Sequence, residues 1–183
     1  MNPTSRYTVG LRFGLIAGLL YIVLLFIRYN FFNKSPVGFG FFAIITYIII
    51  LLVYLITGMY RKKELGGYGE LKEIFQSIFI TILITEFSYI LFNFIFLKYV
   101  NPSFWINFKT VSLAFYQQQK LPPEQIEQAM KGLKDIDKAT NLGGLVSGFG
   151  YSVVIDCIFG FIFAFILRKK KPVVQGIAED QKL

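Results

Sequence analysis

Apolar residues fill this chain in four long runs, separated by short stretches rich in Lys, Gly, Pro and Asn. Val37 to Tyr60 is 24 residues without a charge. As a helix that run is about 36 Å long, enough to cross a hydrocarbon core of about 30 Å. Runs of this kind predict spans over about 9–32, 37–60, 74–97 and 142–167. The first is the least regular, because Arg12 and Arg28 bracket it. Sixteen residues, about 24 Å of helix, separate them, so each is expected near an interface with its guanidinium reaching outward. "NKSPVG" makes the first turn, and "RKKELGGYGELKE" joins spans two and three, with Gly66 and Gly67 breaking the helix. The fold class that follows is an all-α integral membrane protein, a bundle of four transmembrane helices. One domain is expected over 1–171, followed by a flexible tail, 172–183.

The segment 98–141 between spans three and four is patterned as well. In "LPPEQIEQAMKGLKDIDKA" two prolines open a helix, Glu124 and Glu127 occupy its start, and Lys131 and Lys134 its end, the distribution that a helix dipole favours. Ile126, Ala129, Met130 and Leu133 share one face. Phe104, Phe108, Val111 and Phe115 keep helical spacing before it, which allows span three to continue outward as one longer helix. This segment reads either as a helical cap on the bundle or as an amphipathic hairpin on the membrane surface or a partner.

Composition narrows the chemistry. The sequence is 55% hydrophobic and 16% charged, against about 25% charged in soluble domains. It has no histidine and a single cysteine, Cys157, so His bases, Cys clusters and intrachain disulfides are excluded. Cys157, inside an apolar run, is expected to serve packing. The net charge of +8 does not point to nucleic acid, because the basic residues gather at the ends of apolar runs. "RKK" at 61–63 and "RKKK" at 168–171 lie directly against span ends, which predicts both termini on the cytoplasmic side. The N-terminus has the basic start and apolar centre of a signal peptide. Its run passes into "IRYNFFNKSP" without a small-residue cleavage site, so it reads as a retained span.

Small residues mark where helices approach each other in lipid. Span one carries Gly10, Gly14 and Gly18; span four carries Gly144, Gly148, Ser152, Asp156, Gly160 and Ala164. Asp156 thus stands on a packing stripe and is expected to face another helix. Glu86 interrupts span three in the same way. Glu86 is 14 residues from Lys72 and Asp156 is 12 from Arg168, about 21 Å and about 18 Å from the same membrane face. The two acids are therefore expected at similar depth, near the midplane. Tyr89 and Asn93 share the face of Glu86, and Ser77, Thr81, Thr85 and Ser88 form a second polar stripe. An ionised acid at that depth costs about 2.5 kcal/mol or more. Two acids brought together repel, so at least one is expected to keep its proton. Glu86, Asp156, Tyr89, Asn93 and Ser152 form the candidate polar site, either a proton or cation site or a neutral hydrogen-bonded contact between helices.

"GLIAGLL" in span one, "GGYGELKEIFQ" after the basic loop, and "LPPEQIEQAMKGL" before a glycine-rich last span resemble a family of small four-span bacterial membrane proteins. That family is typical of the Bacteroidota and is catalogued only as a domain of unknown function. The resemblance runs over about Tyr7 to Lys171 and implies a four-helix fold in a bacterial inner membrane. It transfers no catalytic residues. The family's usual Gly-Gly-Tyr-x-Ser-Phe-Gly loop stands here as "GGYGELKE".

No GxSxG, HExxH, P-loop or dinucleotide fingerprint occurs, so no enzyme, cofactor or metal site is expected. The leading expectation is a non-enzymatic scaffold or accessory subunit, with the bilayer and a membrane protein or a second copy as partners. The alternative is a small proton- or ion-coupled transport component that uses Glu86 and Asp156.

Overall fold

The computed structural model describes residues 5–134 and 142–170. The expected tail, 172–183, and the last part of the outer segment, 135–141, lie outside the described residues. Six α-helices are described: α1 (Ser5–Phe31), α2 (Pro36–Glu64), α3 (Leu71–Ile95), α4 (Phe104–Gln118), α5 (Pro123–Lys134) and α6 (Leu142–Leu167). Helices α1, α2, α3 and α6 are long and apolar enough to cross a membrane. The protein is an all-α membrane protein.

Local chemistry sets the helix ends. Ser35 is extended (φ −144°, ψ 127°), its hydroxyl accepts from the Gly38 amide at 3.3 Å, and Pro36 follows where no amide is needed. At the other end of α2 the chain reverses through Gly66 and Gly67, at φ 75° and 84°. Their amides donate back to the carbonyls of Lys63 and Lys62, both at 3.0 Å. A side chain would strain this left-handed turn. The loop is then tied to the end of α6, because Gly69 and Lys169 exchange backbone hydrogen bonds of 2.9 and 3.0 Å. We call this the basic end and the opposite one the cap end.

Helix α3 is the hub. It packs against α1, α2 and α6, while α2 also touches α1 and α6. The closest seam joins α1 to α3. A Cβ built on Gly14 would lie 2.7 Å from Ile84 Cδ1, and one on Gly10 would lie 2.7 Å from the Ser77 carbonyl oxygen. Gly18 faces Ser88 in the same way. The glycines of span one therefore meet span three, not span four. The small-residue stripe of α6 splits. Gly160 sits against Ile78 and Ile82 of α3, whereas a Cβ on Gly148 would meet nothing within 4 Å. On the cap side of α6 the helix is buried at Leu145 but faces open space at Gly148.

At the cap end span three does not run on as one long helix. Its last turn loosens into a π-helical turn over Phe96–Val100, and the chain breaks at Asn101 (φ −142°, ψ 75°) before Pro102. A residue before proline is pushed out of the helical region, so α4 starts afresh and folds back. Phe104 and Phe108 of α4 join Leu25, Tyr29, Phe39 and Phe96 in a buried cluster. Tyr29 stacks on Phe96 with centroids 4.9 Å apart and meets the edge of Phe104 at 4.7 Å. Helix α5 packs on α4, with Ile126 and Met130 turned toward Leu113 and Leu133 against the cap cluster.

Arg28 departs from the expected outward reach. Its Nε donates to the Phe39 carbonyl at 3.1 Å and its guanidinium lies 3.9 Å from the Phe39 ring centre. Charge is better placed on an aromatic face than in hydrocarbon. Trp105, the one tryptophan in the sequence, borders this cluster. Its emission is expected to be blue-shifted, and Phe104→Ala to shift it red as the cap loosens. A spectrum identical in the two proteins would mean that α4 is not seated on the bundle.

Candidate functional site

Glu86 and Asp156 come together. Glu86 lies at 4% exposure near the middle of α3, Asp156 at 1% near the middle of α6. Tyr47 and Tyr54 reach them from α2, seven residues and two helical turns apart and hence on one face. The Tyr47 hydroxyl donates to Asp156 Oδ1 at 2.9 Å and the Tyr54 hydroxyl to Oδ2 at 2.8 Å. The Glu86 carboxyl lies beside Asp156 and Ser152 on the same cleft. Two carboxyl groups can hydrogen-bond only through a proton. Asp156 already accepts two phenol hydroxyls, so a proton held between the two acids would sit on Glu86. The arrangement is a pair of buried acids in which two phenol donors stabilise Asp156.

A cleft of about 350 Å³ adjoins this pair. Glu86 and Asp156 form its floor, and aromatic rings its walls. On one side Tyr21 of α1 stacks on Tyr89 of α3 at 5.3 Å; on the other Tyr47 of α2 meets Phe159 of α6 edge-on at 6.2 Å. Tyr151, 71% exposed, stands at the rim. Toward the basic end lies a buried cluster of Ile50, Tyr54, Ile74, Ile78, Ile82 and Ala164, against which Cys157 also packs.

A family profile described as a protein of unknown function (DUF4199) matches residues 12–169. The chain belongs to the DUF4199 family. The match takes in the cleft and its floor, so the acid pair lies within the family domain rather than in an appendage. Curated proteins and solved structures give no match. Family membership therefore assigns no role to any residue, and the geometry carries the chemistry.

Four of the five expected site residues, Glu86, Tyr89, Ser152 and Asp156, line the cleft. Asn93 does not. Its Oδ1 accepts from the Tyr29 hydroxyl at 2.5 Å and its Nδ2 donates to the Tyr89 carbonyl, which ties it to the cap cluster. The hydroxyl stripe beside Glu86 also turns elsewhere. Thr81 Oγ1 is shared between the carbonyls of Gly10 and Ser77, and Thr85 and Ser88 donate to carbonyls one turn back. That stripe is packing surface for α1. The residues missed from sequence are the tyrosines of other helices, Tyr21, Tyr47, Tyr54 and Tyr151. The spacing of Tyr47 and Tyr54 in an otherwise apolar span was the available signal.

Proposed function

We propose that this protein is a non-enzymatic, proton-coupled transport component that loads and unloads a proton at the Glu86–Asp156 pair. The observation that carries the reading is the pair itself, two buried carboxyls side by side on the floor of a cleft. A purely structural contact between helices needs neither a second acid nor a cavity beside it. The basic flanks "RKK" and "RKKK" support placing the basic end in the cytoplasm, and the family resemblance supports a bacterial inner membrane.

The test is proton movement in liposomes holding the full chain, with the membrane potential clamped. Wild type is expected to dissipate an imposed pH gradient several-fold faster than protein-free liposomes. The Glu86→Gln/Asp156→Asn double variant is expected to match protein-free liposomes. Equal rates for wild type and double variant would end this reading.

The scaffold reading keeps one observation of its own. The cap-side half of α6 exposes Val146, Tyr151 and Val154 beside the open Gly148, a face with room for another helix. A stoichiometric partner retained from native membranes, lost in Gly148→Leu, together with no proton movement, would favour it.

A further inference from the structure

We infer that the cleft binds a small organic monocation, an aromatic or alkyl ammonium, in exchange for the proton of Glu86. The inference rests on the proton-coupled reading of the same site and names what the proton is exchanged for. Its ground is the lining. Two aromatic pairs, Tyr21–Tyr89 and Tyr47–Phe159, stand on either side of an acidic floor, and no lysine or arginine lines the cleft. Ring faces attract a positive charge, most strongly when it carries little hydration, as a quaternary ammonium does. The volume of about 350 Å³ falls within the range of about 300–1,000 Å³ that holds small organic ligands.

Other ligand classes fit poorly. An anion would meet two acids with no cation beside them, since the Arg28 guanidinium is held on Phe39 and bonded to its carbonyl. A divalent metal needs several free oxygen ligands. Both Asp156 oxygens are already taken by phenol donors, and among the described residues no group of three His, Cys, Asp or Glu is placed to hold a metal ion. An uncharged apolar ligand gives no reason for the acids.

The exchange balances. Before binding the cleft holds one ionised and one protonated carboxyl, a net charge of −1. As the ammonium enters, the Glu86 O–H bond breaks and its proton leaves to water. Two carboxylates and one cation then again sum to −1, so no net charge is added to the low-dielectric interior. Proton and cation therefore compete for one site. The groups that face it are Tyr21 from α1, Tyr47 and Tyr54 from α2, Tyr89 from α3, and Asp156 with Cys157 from α6; Arg28 is the nearest cation. Of these, Glu86 is the group whose proton the ligand displaces.

The probe is benzyltrimethylammonium, titrated into the purified full-length protein in weakly buffered detergent, with heat and released protons followed together. Saturable binding is expected, with about one proton released per cation bound and apparent affinity rising up to about tenfold per pH unit while Glu86 remains protonated. Neopentylbenzene, the uncharged isostere, should not compete. Glu86→Gln should release no proton and bind at least about tenfold more weakly, whereas Glu70→Gln at the basic end should behave as wild type. Absence of saturable binding to folded wild-type protein, competition by neopentylbenzene, or binding without proton release would each overturn the inference. Proton movement in liposomes without cation binding would overturn it while leaving the proton-coupled reading in place. Binding with proton release but without proton movement, even with benzyltrimethylammonium supplied on the opposite face of the liposomes, would support the ligand class and end the transport reading.

Discussion

Gly14→Leu is expected to lower the melting temperature in detergent by about 3–10 °C, whereas Gly148→Leu leaves it unchanged or slightly higher. At Gly14 the new Cβ would lie 2.7 Å from Ile84 Cδ1 and 2.9 Å from Ile84 Cβ. Rotating the isoleucine relieves the first contact but not the second, so α1 must move off α3. Overpacking of this kind costs about 1–3 kcal/mol, and in a chain of this length about 1 kcal/mol corresponds to about 2–4 °C. The seam matters because lipid supplies little hydrophobic drive between helices, so close contact along α1 and α3 has to hold them. At Gly148 the same leucine faces open space, and the helix gains from losing a glycine. A Gly14→Leu protein as stable as wild type would mean that α1 does not pack on α3 through its glycines.

The second large effect separates the two acids. Glu86→Gln is expected to change stability by less than about 0.5 kcal/mol, because the new amide keeps the shape of a protonated carboxyl and can donate to Asp156 as it would. Asp156→Asn is expected to cost about 1–3 kcal/mol, about 2–10 °C in melting temperature. The asparagine turns a donor toward one of two phenols that already donate, Tyr47 or Tyr54, and that hydroxyl loses its acceptor. Melting curves of the two single variants beside wild type decide it. If Glu86→Gln were the more damaging change, the proton would belong to Asp156 and the assignment of donor and acceptor would reverse. Both variants should lose proton movement in liposomes, so stability and transport separate: one variant fails at both, the other only at transport.

The difference between the acids was not readable along the chain. Offsets from Lys72 and Arg168 set Glu86 and Asp156 at one depth, because a helix rises by a constant amount per residue. The two hydroxyls that make Asp156 the acceptor come from α2, more than a hundred residues earlier. No spacing in the sequence relates Tyr47 to Asp156. Arg28 shows the same limit: its position near an interface followed from the length of the run, but its seat on Phe39 depends on how α2 returns beside α1.

What the sequence determined by itself is whatever depends on one helix at a time. The four spans follow from apolar length, the turn at Gly66 and Gly67 from its glycines, and the start of α2 from Ser35 and Pro36. The face on which each acid lies follows from helical periodicity. Which face meets which is a property of pairs of helices. In lipid that pairing is chosen by shape and hydrogen bonding, since nearly every span is apolar all round. Only the tertiary structure could show that the glycines of α1 meet α3, that Gly160 of α6 packs on α3 while Gly148 faces open space, and that four helices close aromatic walls around two acids.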